Sequence, residues 1–132
     1  MKNRKMKNRK RFLFTFGYLL LLFCLLTSDC SVSIMLTHIV VWKYRADVEQ
    51  AIREEHVARL RRLSFLIPEI QSFSVGFDTL HLARSYDTGL VAVFRDRASL
   101  DAYTIHPEHI IAADFGRNIS EHVASVDFEG EG

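Results

Sequence analysis

Cysteine is nearly missing from this chain: Cys24 and Cys30 are the two among 132 residues, both close to the N-terminus. That excludes a disulfide scaffold and a zinc site built on cysteines. Proline (two) and glycine (six) are also scarce, and the hydrophobic fraction is 48%. A disordered or low-complexity chain has the opposite balance. A charge excess of one sign is missing too: seventeen Lys/Arg face sixteen Asp/Glu, net +1. The chain as a whole therefore lacks the basic footprint of a nucleic-acid binder. What remains is enough apolar sequence for one globular core.

The near-neutral total hides two unlike pieces. Residues 1–34 hold seven Lys/Arg and one acid, whereas residues 35–132 hold ten Lys/Arg, fifteen acids and all six histidines. In the first piece a basic run, Lys2 to Arg11, precedes fifteen mostly apolar residues, Phe12 to Leu26, and a small polar exit through Ser33. That order describes a secretory signal peptide, with cleavage expected after Ser33. The apolar stretch is short against the about 17–25 residues of a membrane helix, so a retained leader would act as an N-terminal anchor. Met35 offers a third reading, in which translation starts there. The leader thus places the protein outside the cytoplasm or at a membrane, and a start at Met35 places it in the cytoplasm. The fold argument uses residues 35–132 alone.

Leu36 to Lys43 is β-branched and apolar and reads as a strand. Asp47, with Gln50 three residues on, predicts a capped helix. Ile52, His56, Leu60, Leu63 and Ile67 recur at helical spacing until Pro68 stops them. Ile70 to Phe77 and Gly89 to Arg95 read as two more strands separated by a polar loop. Asp96 to Tyr103 starts a short helix. Pro107 suits the first position of another, ending near Phe115 with Gly116 as its stop. Ser120 to Phe128 is the fourth strand, with Ala124, Val126 and Phe128 on one face, and residues 130–132 read as a frayed tail.

The order β-α-β-β-α-β, with the second helical region split, is the α+β ferredoxin-like arrangement. Its helices cover one face of an antiparallel sheet. The strands Leu36–Trp42 and Leu90–Phe94 are nevertheless apolar on both faces. An uncovered face should alternate with polar residues. A second copy of the chain is the expected cover, giving a homodimer whose two sheets close into an α/β barrel.

At this point the body resembles the stress-responsive A/B barrel (Dabb) family of dimeric α/β barrels. The resemblance rests on MLTHIVVWK at Met35, SFLIPEIQSFSVG at Ser64, YDTGLVAVF at Tyr86, DAYTIHPEH at Asp101 and the closing Val126-Asp127-Phe128. It implies a homodimeric barrel and no single chemistry. Some relatives are stress-associated proteins, and others are polyketide cyclases that close rings by aldol chemistry without metal or cofactor. In those cyclases a Tyr and the second His of Tyr-x-x-His-Pro-x-His form the acid/base pair. The same stretch runs here from Tyr103 to His109, so the resemblance carries those roles to Tyr103 and His109.

Aldol cyclisation needs a base for an activated carbon and a donor for the developing oxyanion, roles suited to a near-neutral imidazole and a phenol. The plainer reading is that His109 bonds a backbone group and Tyr103 packs at the barrel rim. His106 and His109 are three apart, but no third ligand is spaced for a metal, and none is expected. His38 shares a strand face with Val40 and Trp42; it either points into the barrel cavity as a ligand contact or is a satisfied buried histidine. Trp42, Phe73 and Phe94, with His106, are the remaining candidate ligand contacts, although aromatic strand residues are more often plain core. Two functions follow. The first is a homodimer that binds a small hydrophobic ligand or serves a stress response without catalysis. The second is a cofactor-free, cyclase-like enzyme using Tyr103 and His109. Neither calls for nucleic acid, and a membrane enters through the leader alone.

Overall fold

The computed structural model describes residues 33–131. The leader readings lie outside these residues. The elements are β1 (Ile34–Tyr44), α1 (Gln50–Leu66), β2 (Ile70–Phe77), β3 (Thr88–Phe94), α2 (Arg97–Ile105), α3 (Pro107–Ile119) and β4 (Ser120–Glu131). The sheet runs β2-β3-β1-β4, with every neighbouring pair antiparallel. This is the expected ferredoxin-like α+β order with its second helix split in two. Among the described residues no helix is long and apolar enough to cross a membrane.

The sheet is two-faced. Leu36, Trp42 and Tyr44 of β1 and Thr88, Leu90, Ala92 and Phe94 of β3 are buried under the helices. They meet Leu60, Leu63 and Ile67 from α1, Leu100 and Tyr103 from α2 and Ala112 and Ile119 from α3. On the opposite face the registers align three cross-strand rows: Ala124–Val41–Gly89–Gly76, Val126–Ile39–Val91–Ser74 and Phe128–Thr37–Val93–Ser72. No helix among the described residues covers them, and Val91, Val126 and Phe128 are 39%, 52% and 48% exposed. An apolar, β-branched surface of this kind marks an interaction face.

Local chemistry accounts for most boundaries. Pro68 follows the last turn of α1, whose C-cap is Ile67. Asp96 caps α2, accepting from the Ser99 backbone N–H at 2.8 Å and the Ser99 hydroxyl at 2.7 Å. Those bonds hold the Asp96 carboxyl below its ordinary pKa. Asp96→Ala should lower the melting temperature by a few degrees, with an unchanged urea slope, because an orphan N–H of the first turn loses its acceptor. Thermal and urea unfolding followed by circular dichroism check this.

Three expectations fail in detail. Asp47 does not cap α1; it pairs with Arg45, and the cap position is Glu49, without a side-chain bond. Gly116 does not end α3; the helix runs on to Ile119, and Gly116 is a packing position inside it. The C-terminal tail does not fray at Gly130, which pairs with Met35 in β4. A glycine near the end of a periodic segment predicts a stop when only the chain is in view. Here the neighbouring side chains need the space.

Candidate functional site

The first strand places His38 on the helix-covered face, and the β1–β4 register sets Asp127 directly opposite it. Directly opposed residues point to the same side of a sheet. The His38 Nδ1 to Asp127 Oδ1 distance is 2.5 Å. A carboxylate only accepts, so Nδ1–H donates and, in the neutral ring, Nε2 keeps its lone pair. The pair sits at the edge of the core: the His38 side chain is mostly buried and the Asp127 carboxylate is half open to solvent.

The break between α2 and α3 supplies the other half. Tyr103 lies in the last turns of α2, and His109 lies in the first turn of α3. His106 between them has extended backbone, as a pre-proline residue prefers. That reversal stacks the Tyr103 and His109 rings with centroids 4.2 Å apart. Phe94 also packs on Tyr103, with ring centroids 5.0 Å apart, and His38 meets it edge-to-face at 6.0 Å. The structure therefore brings His38, Phe94, Tyr103, His109 and Asp127 into one cluster.

Protonation states follow from this packing. Burial raises the Tyr103 phenol well above its ordinary pKa, so it remains an O–H donor at neutral pH. Burial lowers His109; the bond to the Thr104 carbonyl opposes this in part, and nearby His38, Arg117 and His106 add to the lowering. His109 Nδ1 lies 3.0 Å from Thr104 O. A carbonyl cannot donate, so Nδ1 carries the hydrogen and Nε2 is left as a base. The cluster holds a proton donor and a proton acceptor in ring contact, which is the equipment of general acid–base chemistry.

Other candidate residues lie elsewhere. Trp42 is buried against His56, with ring centroids 5.0 Å apart, farther along β1. Phe73 is a half-buried β2 residue at the margin of the core. His106 caps α3, its Nδ1 accepting from Glu108 N–H at 3.2 Å. Among the described residues no three His, Cys, Asp or Glu side chains gather as metal ligands do. Two surface recesses lie away from the cluster. One of about 450 Å³ is floored by Gly76 and Gly89, and one of about 340 Å³ lies between α1 and α3 beside Arg59 and Ile111.

Asp127 is the residue that sequence reasoning did not single out as a site. Its signal was available: with Ala124, Val126 and Phe128 on one face, Asp127 must point to the other, and an acid aimed toward a core seeks a partner.

Residues 36–130 match the stress responsive A/B barrel domain. The chain belongs to that family. Solved structures support the same fold. A dimeric ferredoxin-like protein of unknown function from Thermobifida fusca is 25% identical, with 73% of this chain and 91% of that one covered at a TM-score of 0.67. A dimeric protein of unknown function from Bacteroides fragilis is 26% identical, with coverages of 73% and 96% and a TM-score of 0.66. A hydroxynitrile lyase from Passiflora edulis shares the fold at 17% identity, with coverages of 74% and 94% and a TM-score of 0.67. No curated protein matches this sequence.

Proposed function

We propose that this A/B barrel protein is a homodimer whose protomers each bind a small, largely apolar ligand at the Tyr103–His109 cluster. The observation that carries the ligand reading is the cluster itself. Two histidines, a phenol and a carboxylate converge at one end of an otherwise apolar helix–sheet core. Pocket chemistry of this type combines apolar walls with a few convergent polar groups that fix orientation. Phe94 supplies wall, and Tyr103 O–H and the basic Nε2 of His109 supply a donor and an acceptor for a carbonyl or enol group. The homodimer is supported by the uncovered apolar rows of the sheet and by the dimeric relatives with the same fold.

A second reading, cofactor-free catalysis on a carbonyl substrate of the poly-β-keto type, is favoured by the ring contact of Tyr103 with His109. In it His109 Nε2 takes a proton from an activated carbon while Tyr103 O–H donates to the developing oxyanion. The His38–Asp127 pair lies beside Tyr103, with His38 held in place by the Asp127 carboxylate. The lyase from Passiflora edulis shows that this fold carries catalysis in one protein.

Both readings meet in one experiment. A phenyl-substituted β-diketone is titrated into the protein while the histidine and tyrosine ring signals are followed by NMR. The expected result is a shift of the His109 and Tyr103 signals, with affinity reduced about tenfold or more in His109→Ala and Tyr103→Phe. Equal affinity in all three proteins would remove the cluster as the site. Turnover of a linear poly-β-keto substrate that is lost in both variants would favour the catalytic reading over binding alone.

A further inference from the structure

The uncovered face of the sheet has a hole at one corner and a knob at another. Gly76 and Gly89 are opposite each other on β2 and β3, so neither strand puts a side chain there. A Cβ built on Gly76 would meet nothing within 4 Å. With Val41 beside them they floor a recess of about 450 Å³, walled by Tyr86 and Asp78. Phe128 stands on β4 at the far edge, in the row of Thr37, and its side of the sheet is open.

The positions of hole and knob fit a two-fold. From the row of Val41 to the row of Thr37 is four residues, about 13 Å along the strands. From β2 to β4 is three strand spacings, about 14 Å across them. These near-equal sides put knob and hole at opposite corners of a square. A half-turn about the other diagonal of that square, lying in the plane of the interface, exchanges the two corners. It also crosses the strands of the two sheets at close to a right angle, which is one of the two stable modes of sheet-on-sheet packing. The same operation lays Ile39 and Val91 of one copy over those of the other and sets Val126 of each over Val41 and Gly89 of its partner. An isologous contact then forms twice, as closed symmetry requires.

We infer that in the homodimer the Phe128 ring of each protomer fills the recess over Gly76 and Gly89 of its partner. This rests on the homodimer reading given above and specifies its geometry. The occupant is a second copy of the chain because knob and hole lie on one face of the sheet and relatives with the same fold are dimeric.

Sedimentation equilibrium on the full chain tests it, with circular dichroism checking that each variant folds. Val126→Asp should abolish the dimer, because it buries a charge against Val41 of the partner. Phe128→Ala and Gly76→Phe should each weaken the dimer about tenfold, the first by removing the knob and the second by plugging the hole. The double variant should recover to within about threefold of wild type, because the ring at position 76 replaces the one removed. Additive losses in the double variant would overturn the inference, as would an unchanged dimer in Gly76→Phe, the result for a recess kept for a small molecule. Coupling of Phe128 to Ser72 in place of Gly76 would overturn it in favour of parallel-aligned sheets. A monomeric wild-type chain, or a dimer untouched by Val126→Asp, would instead overturn the homodimer reading on this face and the inference with it.

Discussion

Replacing Gly116 by alanine should destabilise the protein, although alanine is the better helix former. Gly116 lies inside α3, where helix preference alone favours alanine by about 1 kcal/mol. Packing opposes it. A Cβ at this position would overlap His56 Nε2 and stand 2.9 Å from both His56 Cε1 and Trp42 Nε1. Neither ring is a flexible tip. His56 is fully buried and tied through Nδ1 to Tyr44 Oη at 2.8 Å, and Trp42 is 4% exposed. Overpacking of a tight core costs about 1–3 kcal/mol, and displacing a hydrogen-bonded ring belongs at the upper end. The expected net loss for Gly116→Ala is about 1–2 kcal/mol. Gly116→Leu, which cannot be relieved by a small shift, should prevent folding or cost well above 3 kcal/mol. Gly76→Ala is the control: with open space around the position, it should leave unfolding nearly unchanged. Urea unfolding of the three variants measures the contrast. A stabilised Gly116→Ala would mean that the two rings move aside at little cost.

Gly116 also shows where a linear reading stops. The elements were legible because their signals are local: apolar periodicity for α1, β-branched runs for β1 and β3, Pro107 at the first turn of α3. The uncovered second face of the sheet was legible for the same reason, since Ile39, Val41, Val91 and Val93 alternate with residues that are themselves apolar. A glycine, by contrast, has two meanings that differ only in what lies across from it. At the end of a helix it relieves backbone strain; inside one it makes room. The room here is required by Trp42 and His56, which come from a strand and a helix more than fifty residues away in the chain. Asp47 failed similarly. Its spacing to Gln50 fits a capping box, but Arg45 two residues away takes its carboxylate.

The candidate site divides along the same line. Tyr103 and His109 belong to one local motif, and the turn at His106-Pro107 that stacks their rings is written in the motif itself. Strand alternation grouped His38 with Val40 and Trp42, but that face lies under the helices and not toward a barrel cavity on the open side of the sheet. What joins them, Asp127, depends on the register of β4 against β1, and register is set by the whole hydrophobic pattern of two strands eighty-nine residues apart. Trp42 illustrates the reverse error of proximity in sequence. It shares a strand face with His38, but four residues along a strand is about 13 Å, enough to put it in a different cluster.

That second cluster gives the remaining large effect: stability should fall steeply as pH drops from about 6.5 toward 4, and His56 should be the main cause. Its imidazole is enclosed by Trp42, Tyr44 and Phe115. Tyr44 O–H donates to Thr88 Oγ1 at 2.8 Å, so the tyrosine oxygen accepts from His56 Nδ1–H. Nε2 is left buried with no partner among the described residues. A neutral ring tolerates this, since its bare nitrogen is an acceptor that forgoes one bond. A protonated ring would bury a charge and an N–H with no acceptor. Burial, and then the Arg59 guanidinium, lower His56 to about 4. In the unfolded chain the same group titrates near 6.5. Between those values the unfolded state binds more protons than the folded one, so stability rises with pH across the window and is complete above it. The total is at most about 3 kcal/mol, most of it lost by pH 4.5. His109, also lowered by burial, adds in the same direction. Asp78 and Asp96 are lowered from carboxylate values, so their loss comes at lower pH. His56→Leu removes the titrating group, leaves Tyr44 its bond to Thr88 and should flatten the profile. Urea midpoints at pH 7.0 and 4.5 for wild type and variant decide the matter. The expected outcome is a variant that loses much less than wild type on acidification, whatever its stability at neutral pH. Parallel losses in the two proteins would shift the acid sensitivity to other groups.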